Sequence, residues 1–254
     1  MNDLEQYFYH NKDRLIHKWA HYFEIYDRHF QKYRNKEVII LEIGVSQGGS
    51  LQMWKNYFGD KAQIFGIDIN PNCKSLEEEN IKIFIGSQTD RTFLRNVKAQ
   101  IPQVDILIDD GGHTMRQQII TYEELFNHVK EDGIYLCEDI HSSYWLRQGG
   151  GYRRRGTFIE FSKRFIDFIN AHHSEQRSLK VNDFTKSVDS LHYYDSILVI
   201  EKRKREKPYH LKTGTPSFES VSEPRTVPVI LYDAFIKYTN LVLRFFRIRG
   251  FVWK

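Results

Sequence analysis

Asp109-Asp110-Gly111-Gly112-His113 closes one very apolar stretch of the chain, and Glu138-Asp139-Ile140-His141 closes another. If the two stretches are parallel strands of an α/β sheet, four carboxylates and two imidazoles gather at one edge. That is the edge at which open α/β sheets bind ligands and do chemistry. Carboxylates crowded together repel one another unless a cation lies among them. Hard oxygen donors of this kind select magnesium, calcium or manganese over zinc.

The elements that position them can be read along the chain. Glu37 to Val45 reads as a buried strand running into Ser46-Gln47-Gly48-Gly49-Ser50 and a helix from Leu51 to Phe58. A glycine-rich turn between strand and helix lets a ligand approach the backbone and points helix amides at it. Ile64 to Ile69 reads as a second strand with Asp68 near its end, where an acid can accept hydrogen bonds from a ribose diol. Gly44, Gly48 and Gly49 do not fit the dinucleotide spacing, so nucleoside binding rests on the turn and the acid together. Further strands are expected at Ile81 to Ser87, Asp105 to Asp109 and Gly133 to Glu138, with helices at Arg91 to Ala99, Met115 to Val129 and Thr157 to His172. Two final strands are expected around Tyr193 to Glu201, one of them antiparallel.

In these motifs the chain resembles the class I S-adenosylmethionine-dependent methyltransferases, and more narrowly the metal-dependent sugar O-methyltransferases of the macrolide mycinose and rhamnosyl type. The likeness is carried by Leu41 to Ser50, Gly66 to Pro71, Gly86 to Asp90, Ile108 to His113 and Cys137 to Trp145, and it covers roughly residues 15 to 202. It implies a mostly parallel Rossmann-like sheet with one antiparallel strand, flanked by helices. It also implies that Asp110, Glu138 and Asp139 hold a divalent metal, magnesium by the donor type, and that His113 is the general base. Glu42, Gly44, Gly48, Asp68, Gln88 and Asp109 would line the S-adenosylmethionine site. The physical logic agrees with this. A metal on an alcohol oxygen favours the alkoxide, as zinc takes water from about 15.7 to about 7. A histidine with an ordinary pKa of about 6.5 can take the proton.

Plainer readings stand beside these. Strand-end acids such as Asp109, Asp110 and Asp68 also cap helices and close turns, and Asp109 suits the cofactor, the metal's surroundings or a backbone amide equally. His113 suits a turn, and His141 a structural hydrogen bond as well as the acceptor. After the fifth strand, Tyr144 and Trp145 are suited to stack on a sugar. Arg153 to Arg155, after three glycines, suit an anionic group on the acceptor or a solvated loop. A dinucleotide-dependent oxidoreductase on the same sheet leaves three clustered carboxylates without a role. A non-catalytic nucleoside-binding subunit would not need Asp110, His113, Glu138 and Asp139 together.

The 254 residues suit one α/β domain with extensions. These divide as 1–36, an N-terminal helical extension; 37–202, the methyltransferase domain; 203–228, a linker; and 229–254, an amphipathic helix. Leu15, Trp19, Tyr22, Phe23, Tyr26, Phe30 and Tyr33 recur at helical spacing and predict one leading helix over that range. With 37 basic and 33 acidic residues the net charge is +4, too small to argue for nucleic acid. Cys73 and Cys137 match no zinc or redox spacing, and the amino terminus has no signal-peptide pattern, so a reducing, cytoplasmic setting is expected. In the last segment Asp233, Lys237, Asn240, Arg244 and Arg247 form a narrow polar stripe opposite a wide apolar arc that includes Leu231, Phe235, Leu241, Phe245 and Ile248. Such a helix suits docking on the domain, across a dimer, or peripherally on an anionic membrane.

Overall fold

The structure is a computed structural model that describes residues 1–218 and 226–246. The chain divides into two units, Met1–Pro208 and Tyr209–Lys254.

The first unit is built on a seven-stranded sheet in the order β3-β2-β1-β4-β5-β7-β6. Its strands are β1 (Ile39–Ile43), β2 (Gln63–Asp68), β3 (Ile81–Ile85), β4 (Val104–Asp109), β5 (Val129–Cys137), β6 (Val188–Tyr193) and β7 (Leu198–Lys202). The first five pair in parallel, whereas β7 pairs antiparallel with both β5 and β6. The expected mostly parallel sheet with one reversed strand is therefore the observed one.

Successive strand residues face opposite sides, and both sides are covered, so the strands read as continuous apolar runs. On one face Ile40, Ile64, Ile106 and Leu136 pack with Phe23, Tyr26, Phe30 and Trp54. These partners come from α2 (Tyr22–Phe30) and α3 (Gly49–Phe58), which follow the short α1 (Asp3–His10). On the other face Leu41, Ile67, Leu107 and Tyr135 pack with Leu94, Leu125, Phe158 and Phe165. Those lie on α4 (Arg91–Gln100), α5 (Met115–Leu125), α6 (Phe158–Ser162) and α7 (Arg164–Ile169); α8 (Asp183–Ser187) precedes β6.

Side-chain caps fix where the helices begin. Asp90 accepts from the amides of Thr92 and Phe93 at the start of α4, and Thr114 with Gln117 forms a capping box at the start of α5. The second cap places His113 immediately outside a helix.

Two expectations are corrected. The single leading helix is not formed: α2 starts only at Tyr22, and Lys12 to His21 carries no helix or strand. Leu15 and Trp19 are exposed rather than part of the apolar stripe, because this stretch crosses the carboxyl edge of the sheet instead of packing on its face. The helix expected from Thr157 to His172 is broken at Lys163 into α6 and α7. There the Ser162 hydroxyl bonds back to the Ile159 carbonyl, a local competitor for the helical ladder.

In the second unit α9 spans Val227–Phe245, with Pro228 in its first turn, where a missing amide is tolerated. Leu231, Phe235, Leu241 and Phe245 are exposed. The expected continuation through Arg247 and Ile248 lies outside the described residues. No described helix is long and apolar enough to cross a membrane.

Candidate active site

The site is assembled by the loops after β1, β4 and β5. The Asp110 amide donates to the Ile43 carbonyl at 2.9 Å and the Glu138 amide to the Asp109 carbonyl at 2.9 Å, so register carries past the strand ends. Gly44 has φ +96°, and a Cβ there would lie 2.0 Å from the Asp110 carbonyl oxygen. The first and fourth loops therefore touch through a position only glycine can fill. Ser46, His113 and Asp139 have φ of 50°, 55° and 53°, a region that side-chain-bearing residues rarely occupy. Such strain clusters at functional sites.

Two cavities open along this edge and share Gly44, Ser46 and Gly111. The first, about 340 Å³, is lined by Asp110, His113, Glu138 and Asp139 from the sheet, together with Leu15 to Trp19 and Tyr22. His113 Nε2 lies 3.7 Å from Asp110 Oδ1 and 3.4 Å from Asp139 Oδ2. Asp139 Oδ1 accepts from the Tyr22 hydroxyl at 2.7 Å. Lys18 Nζ sits among the remaining oxygens: 2.5 Å from Asp110 Oδ2, 3.0 and 2.9 Å from the two Glu138 oxygens and 3.8 Å from Glu42 Oε1.

The electrostatics follow from burial. Desolvation, with the Asp110 charge beside it, pushes the Glu138 carboxyl up, and desolvation pushes Glu42 up to about 7. Burial pulls the Lys18 ammonium down, but the three acids outweigh it and hold the group above its ordinary value. One ammonium cannot neutralise all of these acids, so the cavity favours a further cation or bound protons.

The second cavity, about 230 Å³, is lined by Asp68, Ser87, Gln88, Gly112 and Gln117 among others. Asp68 accepts from the amides of Ser46 and Asn70 at 2.9 and 2.8 Å. Gln88 donates to Asp109 Oδ1 at 2.8 Å and to the Thr121 hydroxyl at 3.0 Å, and it accepts from the Gly112 amide at 2.9 Å. Burial raises the Asp109 carboxyl to about 8.

The structure thus brings Asp110, His113, Glu138 and Asp139 to one cavity and Gly44, Asp68 and Gln88 to its neighbour. Glu42 and Asp109 are buried and line neither; Glu42 accepts from the Ser50 hydroxyl and the Trp54 indole beneath the floor. Gly48 caps α3 and also lines neither. His141 bonds the Ser196 hydroxyl, meets Trp145 edge to face with centroids 4.5 Å apart, and lines a separate groove with Tyr144. Arg153 lies over the Tyr152 ring, 5.1 Å from its centroid, and lines none of these cavities. Sequence reasoning missed Lys18 and Tyr22. Their partners lie 92 to 120 residues away, and no local pattern announces such a contact.

The donor set fits a hard divalent cation. Ligand atoms of Asp110, His113 and Asp139 all lie within 4.8 Å of one another, and carboxylate oxygens are what magnesium, calcium and manganese take. Glu138 stands beside this trio with both oxygens turned to Lys18. The His113 Nδ1, buried and without a partner, leaves that ring held only through its Nε2 side.

A Rossmann-like sheet with reversed β7, and these two cavities at its carboxyl edge, defines a class I methyltransferase fold. Residues 41–140 match the family model described as "Methyltransferase domain". The chain is 34% identical to demethylmacrocin O-methyltransferase of Streptomyces fradiae over 74% of this chain and 51% of that protein. It is 35% identical to mycinamicin VI 2''-O-methyltransferase of Micromonospora griseorubida over 72% and 48%. It is 32% identical to 8-demethyl-8-alpha-L-rhamnosyl tetracenomycin-C 2'-O-methyltransferase of Streptomyces olivaceus over 73% and 52%. Among solved structures it is similar to the MycE methyltransferase from the mycinamycin biosynthetic pathway in complex with Mg, SAH and mycinamycin VI. That likeness has a TM-score of 0.71 and 30% identity, over 91% of this chain and 58% of the other. The chain thus has the class I methyltransferase fold and is similar to the macrolide and rhamnosyl sugar O-methyltransferases. It spans about half the length of the curated relatives it matches.

Proposed function

We propose that the protein transfers a methyl group from S-adenosylmethionine to a sugar hydroxyl of a glycan, lipid-linked saccharide or glycosylated metabolite, and that the transfer depends on a divalent metal. The observation that carries this reading is the convergence of Asp110, His113 and Asp139 in a cavity that shares Gly44, Ser46 and Gly111 with the cavity around Asp68.

Bound S-adenosylmethionine supplies an electrophilic methyl, and a bound metal lowers the pKa of the acceptor hydroxyl. The chain does the rest. Asp68 and Gln88 orient the nucleoside, Asp110 and Asp139 with Glu138 hold the metal, and His113 Nε2 receives the hydroxyl proton as the carbon–oxygen bond forms and the carbon–sulfur bond breaks. Holding both reactants in one wall supplies much of the acceleration. Tyr144, Trp145 and His141 are read as the rim that meets the acceptor.

The test is methyl transfer from labelled S-adenosylmethionine to a panel of rhamnosylated and other glycosylated acceptors, with magnesium or with a chelator. Magnesium-dependent labelling of a sugar supports the reading; labelling that survives chelation sinks the metal role.

The exposed apolar residues of α9, together with the basic residues in the sequence of this segment, support peripheral contact with an anionic membrane, which would suit a lipid-linked acceptor. Deleting residues 229–254 should then abolish sedimentation with vesicles containing anionic lipid. Unchanged sedimentation would refute the contact.

A further inference from the structure

Lys18 is absent from the chemistry outlined above, yet its ammonium sits at the centre of the acid cluster. Its side chain is only 3% exposed, and its Nζ spends its bonds on Asp110 Oδ2 and on both oxygens of Glu138. The other oxygens of the cluster are directed elsewhere: Asp110 Oδ1 and Asp139 Oδ2 face His113, and Asp139 Oδ1 takes the Tyr22 hydroxyl. Glu138 is thus the carboxylate whose two oxygens both bond the lysine, with the Tyr26 hydroxyl beside them.

A doubly charged ion drawing an oxygen from Glu138 would lie beside that ammonium, and two cations so close repel strongly where water is scarce. One of them must give way. The lysine can, because its charge is carried on a flexible four-carbon stem. Its backbone belongs to the stretch from Lys12 to His21, which has no helix or strand to resist a shift. Leu15, Ile16, His17 and Trp19 of the same stretch form one wall of the cavity, so movement of Lys18 changes the space open to an acceptor.

We propose that Lys18 is a positioning residue for the metal-binding acids: its ammonium and a divalent cation are alternative counter-ions of Glu138, and metal binding expels the lysine and re-sets the wall formed by residues 15–19. This rests on the metal-dependent reading above. In the metal-free protein the lysine keeps the Asp110 and Glu138 carboxylates together, which would otherwise repel; in the loaded protein it no longer competes for them.

The experiment uses the full chain with S-adenosylhomocysteine present. Manganese binding is measured by calorimetry for the wild type, Lys18→Met and Lys18→Arg, and hydrogen exchange of residues 12–21 is followed by mass spectrometry with and without manganese. Lys18→Met, which keeps the stem and loses the charge, should bind manganese about tenfold more tightly, while Lys18→Arg should stay near the wild type. Wild-type exchange in 12–21 should rise when manganese binds. Should Lys18→Met fail to fold, the wild-type exchange measurement decides alone. Manganese binding that leaves exchange in 12–21 unchanged, or an unaltered or weaker affinity in a folded Lys18→Met, overturns the proposal while leaving the metal reading intact. Absence of manganese binding in both wild type and Lys18→Met overturns both.

Discussion

On the Asp68 side of Gly44 the polar side chains already have partners. Asp68 takes two backbone amides, and Gln88 bonds Asp109, Thr121 and Gly112 at once. On the acid side the groups are held against their preferences: His113 and Asp139 in left-handed backbone, His113 Nδ1 buried without a partner, and several acids sharing one lysine. The cavity around Asp68 has its polar groups satisfied in advance, as preorganised binding sites do. The cavity around Asp110 stores electrostatic and conformational strain that a cation and a substrate can relieve, as reacting sites do.

Substitutions should separate the two sides. The largest effect is expected for Asp110→Asn, which removes a charge facing both Lys18 and His113. Methyl transfer should fall by about three orders of magnitude or more, while calorimetric affinity for S-adenosylhomocysteine changes little. A parallel loss of nucleoside affinity would erase the distinction between the cavities. Next, His113→Ala should lower transfer by about 10²- to 10⁴-fold with manganese affinity largely kept. Full transfer by this variant would remove it as the base.

On the other side, Asp68→Ala should weaken S-adenosylhomocysteine binding by about tenfold or somewhat more, the scale of one or two lost hydrogen bonds. It should leave manganese binding alone. A smaller effect concerns stability. The Asp109 carboxyl is raised to about 8 by burial, whereas in the unfolded chain it titrates near its ordinary value of about 3.9. Between those values the folded state holds a proton that the unfolded state has released, so this group's contribution to stability falls as pH rises from about 4 to about 8. Asp109→Asn removes that titration. Its urea midpoint relative to wild type should therefore be higher at pH 8 than at pH 5, by an amount worth on the order of 1–3 kcal/mol. An equal difference at the two pH values would show that Asp109 ionises normally.

The sheet and the strand-end acids were legible in the sequence for one reason. Strands buried on both faces leave unbroken apolar runs, and a run that stops at Asp109-Asp110 or at Glu138-Asp139 fixes those acids at the sheet's edge. Asp68 was legible in the same way, whereas Gln88 came only from the resemblance to the methyltransferase motifs. What crosses the sheet was not. The aromatic spacing from Tyr22 to Phe30 does mark a helix, but the same spacing extended back to Leu15 and Trp19 is coincidental, since those residues face the cavity mouth. Periodicity counts positions and cannot tell a helix from a loop that happens to keep its beat. Lys18 carried even less signal: a single lysine beside a tryptophan reads as surface until the fold sets it against acids far away in the chain. The acids' destination could be read, but their counter-ion could not.

Because Lys12 to His21 supplies a wall and a charge to a pocket otherwise made by strand tips, that pocket is completed by chain that precedes the first strand. A recombinant version trimmed to start near Glu37 would lose not only Lys18 and Tyr22 but also Phe23, Tyr26 and Phe30, which cover one face of the sheet. Substitutions among residues 15–19 accordingly reshape this pocket without touching any strand of the sheet.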